Sequence, residues 1–280
     1  MTCSRFGLLV AVLWAAGCGG GSAAQGGVSP TAGRPELLVA PGVRVTAVGQ
    51  PLHCATSAVM FVSAARRANL LCDGALAGVE RANRISLPFA LAPVGAVSLV
   101  DGSVVIVGAE QLAVVSARGM LSPFPHAQTF VGASPATGYS FYAFGEHDVY
   151  LVHANGSMRA IAQSRVAVRS VGGTGDLTFI GRADGRLLAL RLGAAPVVVG
   201  GLRAAIESIA VDPSGYVVVA DDVGVYVVLG HEFYPVLLGI QHPRLAATSD
   251  GVFVRGLHGD QVYRIRNLVA LEQSVSRAVH

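Results

Sequence analysis

The carboxylates around one β-branched run could in principle form a metal site. Asp221 and Asp222 follow the run, and Glu207 and Asp212 precede it. Together they could supply oxygen ligands for calcium, a hard cation that takes about six to eight of them. The same residues also fit turns, because Asp212 opens an Asp-Pro-Ser-Gly sequence and Asp221 can cap the turn that follows. We therefore expect turns here, with no metal site and no cofactor.

Other catalytic patterns are weak or missing from the sequence. There is no Gly-x-Ser-x-Gly motif, and the glycine-rich stretch 172–175 lacks the following helix that a nucleotide-binding loop needs. His147, Asp148 and His153 alternate with apolar residues along a predicted strand, which is not a metal-ligand spacing. All twenty basic residues are arginine, so Schiff-base lysines, phosphate-loop lysines and Ser/Lys pairs are excluded.

Composition indicates a globular chain with an ample core. Of 280 residues, 52% are hydrophobic and 13% charged, yet no stretch after residue 17 reaches the roughly 18 apolar residues of a membrane-spanning helix. The formal net charge is +3, and the arginines are scattered among acidic residues without a basic run. This charge pattern provides no footprint for nucleic acid, so no nucleic-acid partner is expected.

A repeat of about 38 residues, beginning at Ala58, determines the predicted fold. Each copy has a β-branched run, a tight Gly or Asp turn, and a second β-branched run. The turn glycines are spaced 36, 37, 40 and 36 residues apart, at Gly102, Gly138, Gly175, Gly215 and Gly251. Six such copies of short strands predict an all-β fold, a six-bladed β-propeller of four-stranded antiparallel blades over residues 36–280.

The fifth copy, residues 206–222, is the most regular. Its Ala-Val-Asp-Pro-Ser-Gly-Tyr-Val-Val-Val-Ala-Asp sequence resembles the repeat of NHL-type six-bladed propellers, and the other copies match it loosely. The resemblance implies that an extra strand closes the ring. We expect that strand at Glu36 to Ala40, joining a last blade that ends with LVALEQS, and closure removes exposed sheet edges.

The N-terminus resembles a bacterial lipoprotein signal. Residues 1–17 contain a basic position, an apolar stretch and Ala-Ala-Gly immediately before Cys18. The resemblance implies lipidation of Cys18 and export, and Gly19 after it favours the outer membrane, on its periplasmic or surface side. An ordinary secretory signal and an uncleaved anchor are the alternatives. Residues 18–35 are rich in Gly and Ser and predict a flexible tether, so the lipid would be the only membrane contact.

Two cysteines remain for the exported domain, Cys54 and Cys72. An even pair in an oxidising compartment favours a disulfide. However, if Ala58 to Val62 is the second strand of its blade, that strand separates the two cysteines. Two strand spacings amount to about 9.5 Å, beyond the limit of about 7 Å between bridged α-carbons. A disulfide and two buried thiols are both compatible with the sequence.

A binding face is expected where loops from the second to the third strands meet the loops between blades. The predicted residues on the first group of loops are Arg66, Arg67, Glu110, Glu146, His147, Asp148, Arg182, Asp184, Asp221, Asp222, His258 and Asp260. The loops between blades add His126, Arg165, Arg203 and His242. Convergent polar groups over an apolar scaffold orient ligands, although polar turns are also ordinary on any surface.

Two functions compete on this fold. Gluconolactonase-like lactonases and esterases share the six-bladed architecture, and the resemblance implies a metal-binding Glu in a Glu-Gly-Pro-x-Trp type sequence of the first blade. The corresponding stretch here, Gln50 to Ala55, has neither a carboxylate nor a tryptophan. We therefore favour a non-catalytic envelope lipoprotein whose propeller is a scaffold or binds another envelope protein, with the metal-dependent hydrolase as the alternative.

Overall fold

The computed structural model describes residues 37–49, 54, 58–72, 75–79, 84–86, 93–116, 121–125, 128–174, 176–257 and 259–279. Cys18, the lipoprotein-like signal and the predicted tether lie outside these residues. The described strands form six antiparallel sheets around a common centre, which confirms the six-bladed β-propeller.

Every blade is built on an antiparallel meander whose strands run outward from the centre in chain order, and two N-terminal strands are added at the outer edges of the last two blades. Two strands precede the first blade: β1 (Leu38–Val39) and β2 (Arg44–Val48). The strands of blade one are β3 (Val59–Val62), β4 (Ala68–Cys72), β5 (Ala75–Gly78) and β6 (Arg84–Ser86). Those of blade two are β7 (Pro93–Ser98), β8 (Val104–Gly108), β9 (Gln111–Val115) and β10 (Leu121–Pro125). Those of blade three are β11 (Gly132–Pro135), β12 (Ser140–Phe144), β13 (Asp148–His153) and β14 (Met158–Gln163).

The remaining blades follow the same plan. The strands of blade four are β15 (Val168–Thr174), β16 (Leu177–Arg182), β17 (Arg186–Arg191) and β18 (Val197–Gly201). Those of blade five are β19 (Ser208–Val211), β20 (Val217–Ala220), β21 (Gly224–Leu229) and β22 (Glu232–Leu238). Blade six contains β23 (Pro243–Thr248), β24 (Gly251–Gly256) and β25 (Val262–Arg266), and helix α1 (Leu268–Val279) follows it.

The hydrophobic core lies between the blades, as β20 illustrates. All four of its residues are buried, and successive side chains point to opposite faces of the sheet. Val217 and Val219 pack in a cluster with blade four, whereas Val218 and Ala220 pack in a cluster with blade six. A strand covered on both faces needs apolar residues at every position, which explains the unbroken valine runs of the sequence.

The predicted turns after the first strands are confirmed where the structure describes them, and Gly175 lies outside the described residues. Gly102, Gly138 and Gly215 lie between the first and second strands of their blades, and Gly251 begins β24; their φ values lie between 65° and 126°. Positive φ is readily adopted by glycine and costs other residues energy. At Gly251 a Cβ would in addition lie 2.2 Å from the carbonyl oxygen of Ile265, so this turn has no room for a side chain.

The ring is closed by a different strand from the one expected. The strand β1, within the predicted segment Glu36 to Ala40, pairs with β22 and extends blade five to five strands. The closing strand is β2, which pairs with β25 over five residues and supplies the outermost strand of blade six. The expectation was wrong because two short apolar segments precede the repeats, and only the longer one matches the full edge of the last blade.

The C-terminal LVALEQS segment is also not a strand, since it begins α1. Leu268 and Leu271 are buried and Val275 packs beside them, three and four residues apart along one helix face. Because β2 already occupies the edge of β25, no free edge remains there for another strand.

The Tyr216 hydroxyl donates to the carboxylate of Glu272 on α1, and this hydrogen bond raises the pKa of Tyr216 to about 12.

The disulfide forms between Cys54 and Cys72, with a Cα–Cα distance of 5.5 Å. The objection from strand spacing fails because Val59–Val62 is the first strand of blade one, and no strand separates the two cysteines. Cys54 lies just before the first strand, and Cys72 ends the second. The bond therefore fixes the chain entering blade one to the adjacent strand.

Removing this bond is expected to destabilise the propeller measurably. The two cysteines are 18 residues apart, and closing a loop of that size stabilises a fold by about 3 kcal/mol. We expect Cys54→Ser to lower the free energy of unfolding by about that amount in denaturant titrations. A reductant should bring the unmodified protein to the same value and leave the variant unchanged. An unmodified protein insensitive to reductant would contradict the prediction.

Candidate binding site at the channel mouth

Because every blade is a meander, successive loops lie alternately on the two faces of the propeller. Loops from second to third strands, and loops between blades, emerge at the end where each first strand begins. Loops from first to second strands emerge at the opposite end. We call the first group of loops the rim, defined by residues 109–110, 145–147, 183–185, 221–223, 257 and 259–260, together with residues 128–131, 164–167, 202–207 and 239–242 of the loops between blades.

Most of the residues predicted for the binding face lie on the rim, and their role in binding stays a prediction. Glu110, Glu146, His147, Asp148, Arg182, Asp184, Asp221, Asp222 and Asp260 all lie in or next to loops between second and third strands. Arg165, Arg203 and His242 lie in loops between blades. His258 and His126 fall outside the described residues.

Arg66 and Arg67 are the exception, and their placement on the rim was wrong. They lie between β3 and β4, which are the first and second strands of blade one. The loop therefore belongs to the opposite face, where the backbone N–H of Ala64 donates to the Ser98 hydroxyl at the far end of β7. The error follows from taking Ala58 to Val62 as a second strand.

Backbone hydrogen bonds join the rim loops to the loops between blades. The N–H of Val168 donates to the carbonyl of Glu146 at 2.7 Å, and that of Ile206 to the carbonyl of Arg182 at 3.2 Å. The N–H of His242 donates to the carbonyl of Asp222 at 2.8 Å. Each of these rim loops is thus held by the chain entering the next blade, so the rim is preorganised.

Two aspartate carboxylates accept hydrogen bonds from the backbone of their own turns, one on the rim and one on the opposite face. Asp221, which is 5% exposed, accepts from the N–H groups of Val223 at 3.0 Å and Gly224 at 2.9 Å. Asp212 accepts from the N–H groups of Ser214 and Tyr216 in the same way on the opposite face. Both carboxylates are therefore engaged in turns, as the sequence predicted.

In the blade-four rim loop, two arginines are grouped around the carboxylate of Asp184. Arg182 donates to its carboxylate through two guanidinium nitrogens. The backbone N–H of Arg186 donates to the same carboxylate, and the Arg186 guanidinium lies 3.8 Å from it. Burial opposes the charged form, but the hydrogen bonds and the two positive charges outweigh burial and lower the pKa of Asp184.

Inside the rim, the first strands of all six blades surround a central channel with a cavity of about 360 Å³. Most of the residues that line it are apolar or glycine, including Ala58, Val94, Ala133, Val171 and Leu245. Sites for small ligands typically measure about 300–1,000 Å³ and combine apolar walls with a few polar groups. The channel therefore has the size and the lining of a site for a small ligand.

Three charged side chains line the channel at its rim end: Arg169, Glu207 and Arg244. Arg244 donates through Nη1 to the backbone carbonyl of Glu207 at 3.0 Å and to its Oε2 at 3.2 Å. His242 Nδ1 lies 3.1 Å from the same Oε2, and its backbone has a φ of 44°. Glu207 was considered above as a calcium ligand, but it is instead engaged by Arg244 and His242.

Arg169 reaches the channel through a β-bulge. The pairing of β15 with β16 shifts between Val168 and Ser170, which leaves Arg169 as the extra residue. Val168 and Ser170 are both buried, and the Ser170 hydroxyl donates to the carbonyl of Ile206 at 2.6 Å. A bulge redirects a side chain that regular alternation would point elsewhere.

Sequence reasoning did not identify Arg169 or Arg244 as functional residues. The available signal was an arginine as the second residue of a first strand, in Val168-Arg169 and Pro243-Arg244, where other copies have apolar or small residues. Within the described part of the chain, no three His, Cys, Asp or Glu side chains are grouped so that they could share a metal ion. None of the described helices has the length and apolarity to cross a bilayer.

Comparison with known proteins places the chain by its fold. No family model matches the sequence, and no curated protein matches it significantly. Among solved structures, a gluconolactonase from Xanthomonas campestris has a TM-score of 0.66 at 11% identity, covering 84% of this chain and 96% of its own. A virginiamycin B lyase from Staphylococcus aureus, crystallised with quinupristin, has 0.61 at 6%, covering 80% and 99%.

A third similar structure is PorZ, a surface component of the type-IX secretion system of Porphyromonas gingivalis. Its TM-score is 0.52 at 16% identity, and the match covers 76% of this chain and 32% of PorZ. At these identities the similarities establish the fold alone. The chain is a six-bladed β-propeller of the architecture shared by gluconolactonases and virginiamycin B lyases, consistent with the NHL-type resemblance of its repeats.

The rim loop of blade four provides a test of the electrostatics. Because the pKa of Asp184 is lowered on folding, its stabilisation is present above the unfolded value of about 3.9 and is lost as pH falls through the folded value. We expect Asp184→Asn to lower the melting temperature at pH 7 by up to about 3 °C, since a partly exposed pair contributes at most about 1 kcal/mol.

The difference between the unmodified protein and Asp184→Asn should shrink towards zero as the melting experiment is repeated at increasingly acidic pH. Asp176→Asn is the matched control, because Asp176 is an exposed aspartate on the opposite face. A melting difference for Asp184→Asn that stays the same from pH 7 into the acid range would contradict the assignment.

Proposed function

We propose that this propeller is a non-catalytic binding module of the bacterial cell envelope that holds another envelope protein on its rim. The observation that carries the proposal is the preorganised rim, in which backbone hydrogen bonds join the loops of neighbouring blades. A surface that is already ordered loses little conformational entropy on binding. Its exposed charges of both signs favour a partner with a complementary polar surface over a nucleic acid or a membrane.

Location in the envelope is part of the proposal. Cys18 follows a lipoprotein-like signal, so lipidation there would anchor the propeller to the outer membrane through the tether of residues 18–35. The Cys54–Cys72 disulfide supports an oxidising compartment. The similarity to PorZ, a bacterial surface component, also supports a position outside the cytoplasm.

A metal-dependent hydrolase of the gluconolactonase kind is the second candidate. The similarity to the Xanthomonas gluconolactonase and the ligand-sized channel favour it. Against it, Glu207 in the channel is hydrogen-bonded to Arg244 and near His242, and two arginines line the position that a cation would enter. Positive charges raise the free energy of a bound cation, so the lining of this channel argues against a metal-dependent hydrolase.

The rim proposal is tested by reversing exposed charges. The rim variant carries Glu110→Arg, Glu146→Arg and Asp222→Arg, three positions exposed on the described surface. The control carries Asp176→Arg, Glu232→Arg and Asp250→Arg, which are equally exposed but lie at the opposite face.

Both variants have the same change in net charge, so nonspecific electrostatics are matched. In cross-linked captures from envelope extract, we expect the rim variant to lose the specific partner and the control to retain it. The reverse pattern, or equal retention by both, would place the interface elsewhere.

The hydrolase is tested by metal titration. We expect calcium, zinc and manganese to leave the melting temperature of the purified protein unchanged, because a ligand that binds only the folded state would raise it. We also expect no hydrolysis of simple lactones in the presence of these ions. A rise of several degrees together with turnover would favour the hydrolase and reject the non-catalytic role.

A further inference from the structure

The channel carries a second feature that the rim proposal does not use. Most of the residues along its wall are apolar or glycine, while its rim end contains two arginines and one glutamate. Counting Arg169 and Arg244 as positive and Glu207 as negative, these three side chains have a net charge of +1. A site of this kind combines an apolar channel with one excess positive charge at its entrance.

Arg169 is the cation available to a ligand. It lies exposed at the mouth, and its guanidinium makes neither a hydrogen bond nor an ion pair with another described residue. Its neighbours along β15 are fixed, since Val168 is 1% exposed and Ser170 is hydrogen-bonded to the carbonyl of Ile206. The bulge therefore presents a guanidinium on a rigid strand rather than on a mobile loop.

Arg244 can contribute to the same ligand without releasing Glu207. Its hydrogen bonds to Glu207 all use Nη1, and a guanidinium has five N–H donors in a planar arrangement. His242 and Arg244 together hold the Glu207 carboxylate, which limits its repulsion of an incoming anion. Arg244 is one of the residues that line the cavity, and its other N–H donors are not used by Glu207.

We propose that the channel binds a small organic monocarboxylate, with its carboxylate at Arg169 and Arg244 and its apolar tail along the channel wall. Guanidinium donors match the geometry of a carboxylate. The single excess charge suits a monoanion, because a dianion would leave one negative charge facing Glu207. The volume of about 360 Å³ lies near the lower end of the range for ligand sites, which limits the ligand to a short or medium chain.

The test compares four probes by calorimetric titration of the purified protein. Octanoate has both the carboxylate and the tail, octanol has the tail alone, acetate has the carboxylate alone, and octanedioate is a dianion. We expect octanoate to bind at least about tenfold more tightly than octanol, since a hydrogen-bonded charge contributes at least that factor. It should also bind more tightly than acetate, which lacks the apolar tail, and than octanedioate, whose second carboxylate would lie along the channel away from both arginines. Failure of octanoate to bind, or equal binding of octanol, overturns the proposal.

Variants then assign the charge to its residue. Arg169→Gln should weaken octanoate about tenfold and leave octanol unchanged, while Arg169→Lys should retain an intermediate affinity because it keeps the charge but not the planar donors. Arg191→Gln is the matched control, because Arg191 is exposed at the opposite face, at the end of β17. Circular dichroism establishes that each variant is folded.

Equal octanoate affinity in Arg169→Gln and Arg191→Gln would overturn the assignment of the site. These titrations use no envelope partner, so their outcome is independent of the rim experiment. A protein that binds octanoate but loses no partner in the rim variant would keep this site and reject the rim.

Discussion

A single blade of this chain has two apolar faces, and neither can be covered from within the blade. In β20, Val217 and Val219 need blade four, while Val218 and Ala220 need blade six. Every blade needs a neighbour on each face, so all the apolar faces are buried only when the last blade packs against the first. Mutual burial of neighbouring sheets is therefore the interaction on which the ring, the channel and the rim all depend.

The functional surfaces follow from this packing. Close approach of the first strands depends on small residues, because a Cβ at Gly172 would lie 2.7 Å from a side-chain carbon of Ile209, and one at Gly95 would lie 2.6 Å from the backbone nitrogen of Ala133. These contacts fix the channel wall as part of the core. The strand that carries Arg169 is then fixed at the channel mouth, and the rim loops are fixed by hydrogen bonds to the chain entering the next blade.

Local patterns predicted much of this structure, whereas pairings between distant segments were not predictable. The repeat, its turn glycines and the turn role of Asp221 depend on residues close in sequence, and all three are confirmed. The choice between β1 and β2 as closing strand depends on which segment matches an edge some 220 residues away. The apolar residues of α1 have a helical spacing. A strand was expected there instead, but β2 already occupies the edge of β25 that such a strand would need. The bulge at Arg169 is a property of strand register, which no local pattern specifies.

The order of β1 and β2 along the chain has a mechanical consequence. Leu38 and Val39 pair with blade five over two residues, and the chain reaches the closing strand only afterwards. A pull applied from the N-terminal side would load the two-residue pairing first, at the outer circumference of the wheel. The two-residue pairing of β1 would therefore break before the five-residue pairing of β2 with β25 is loaded.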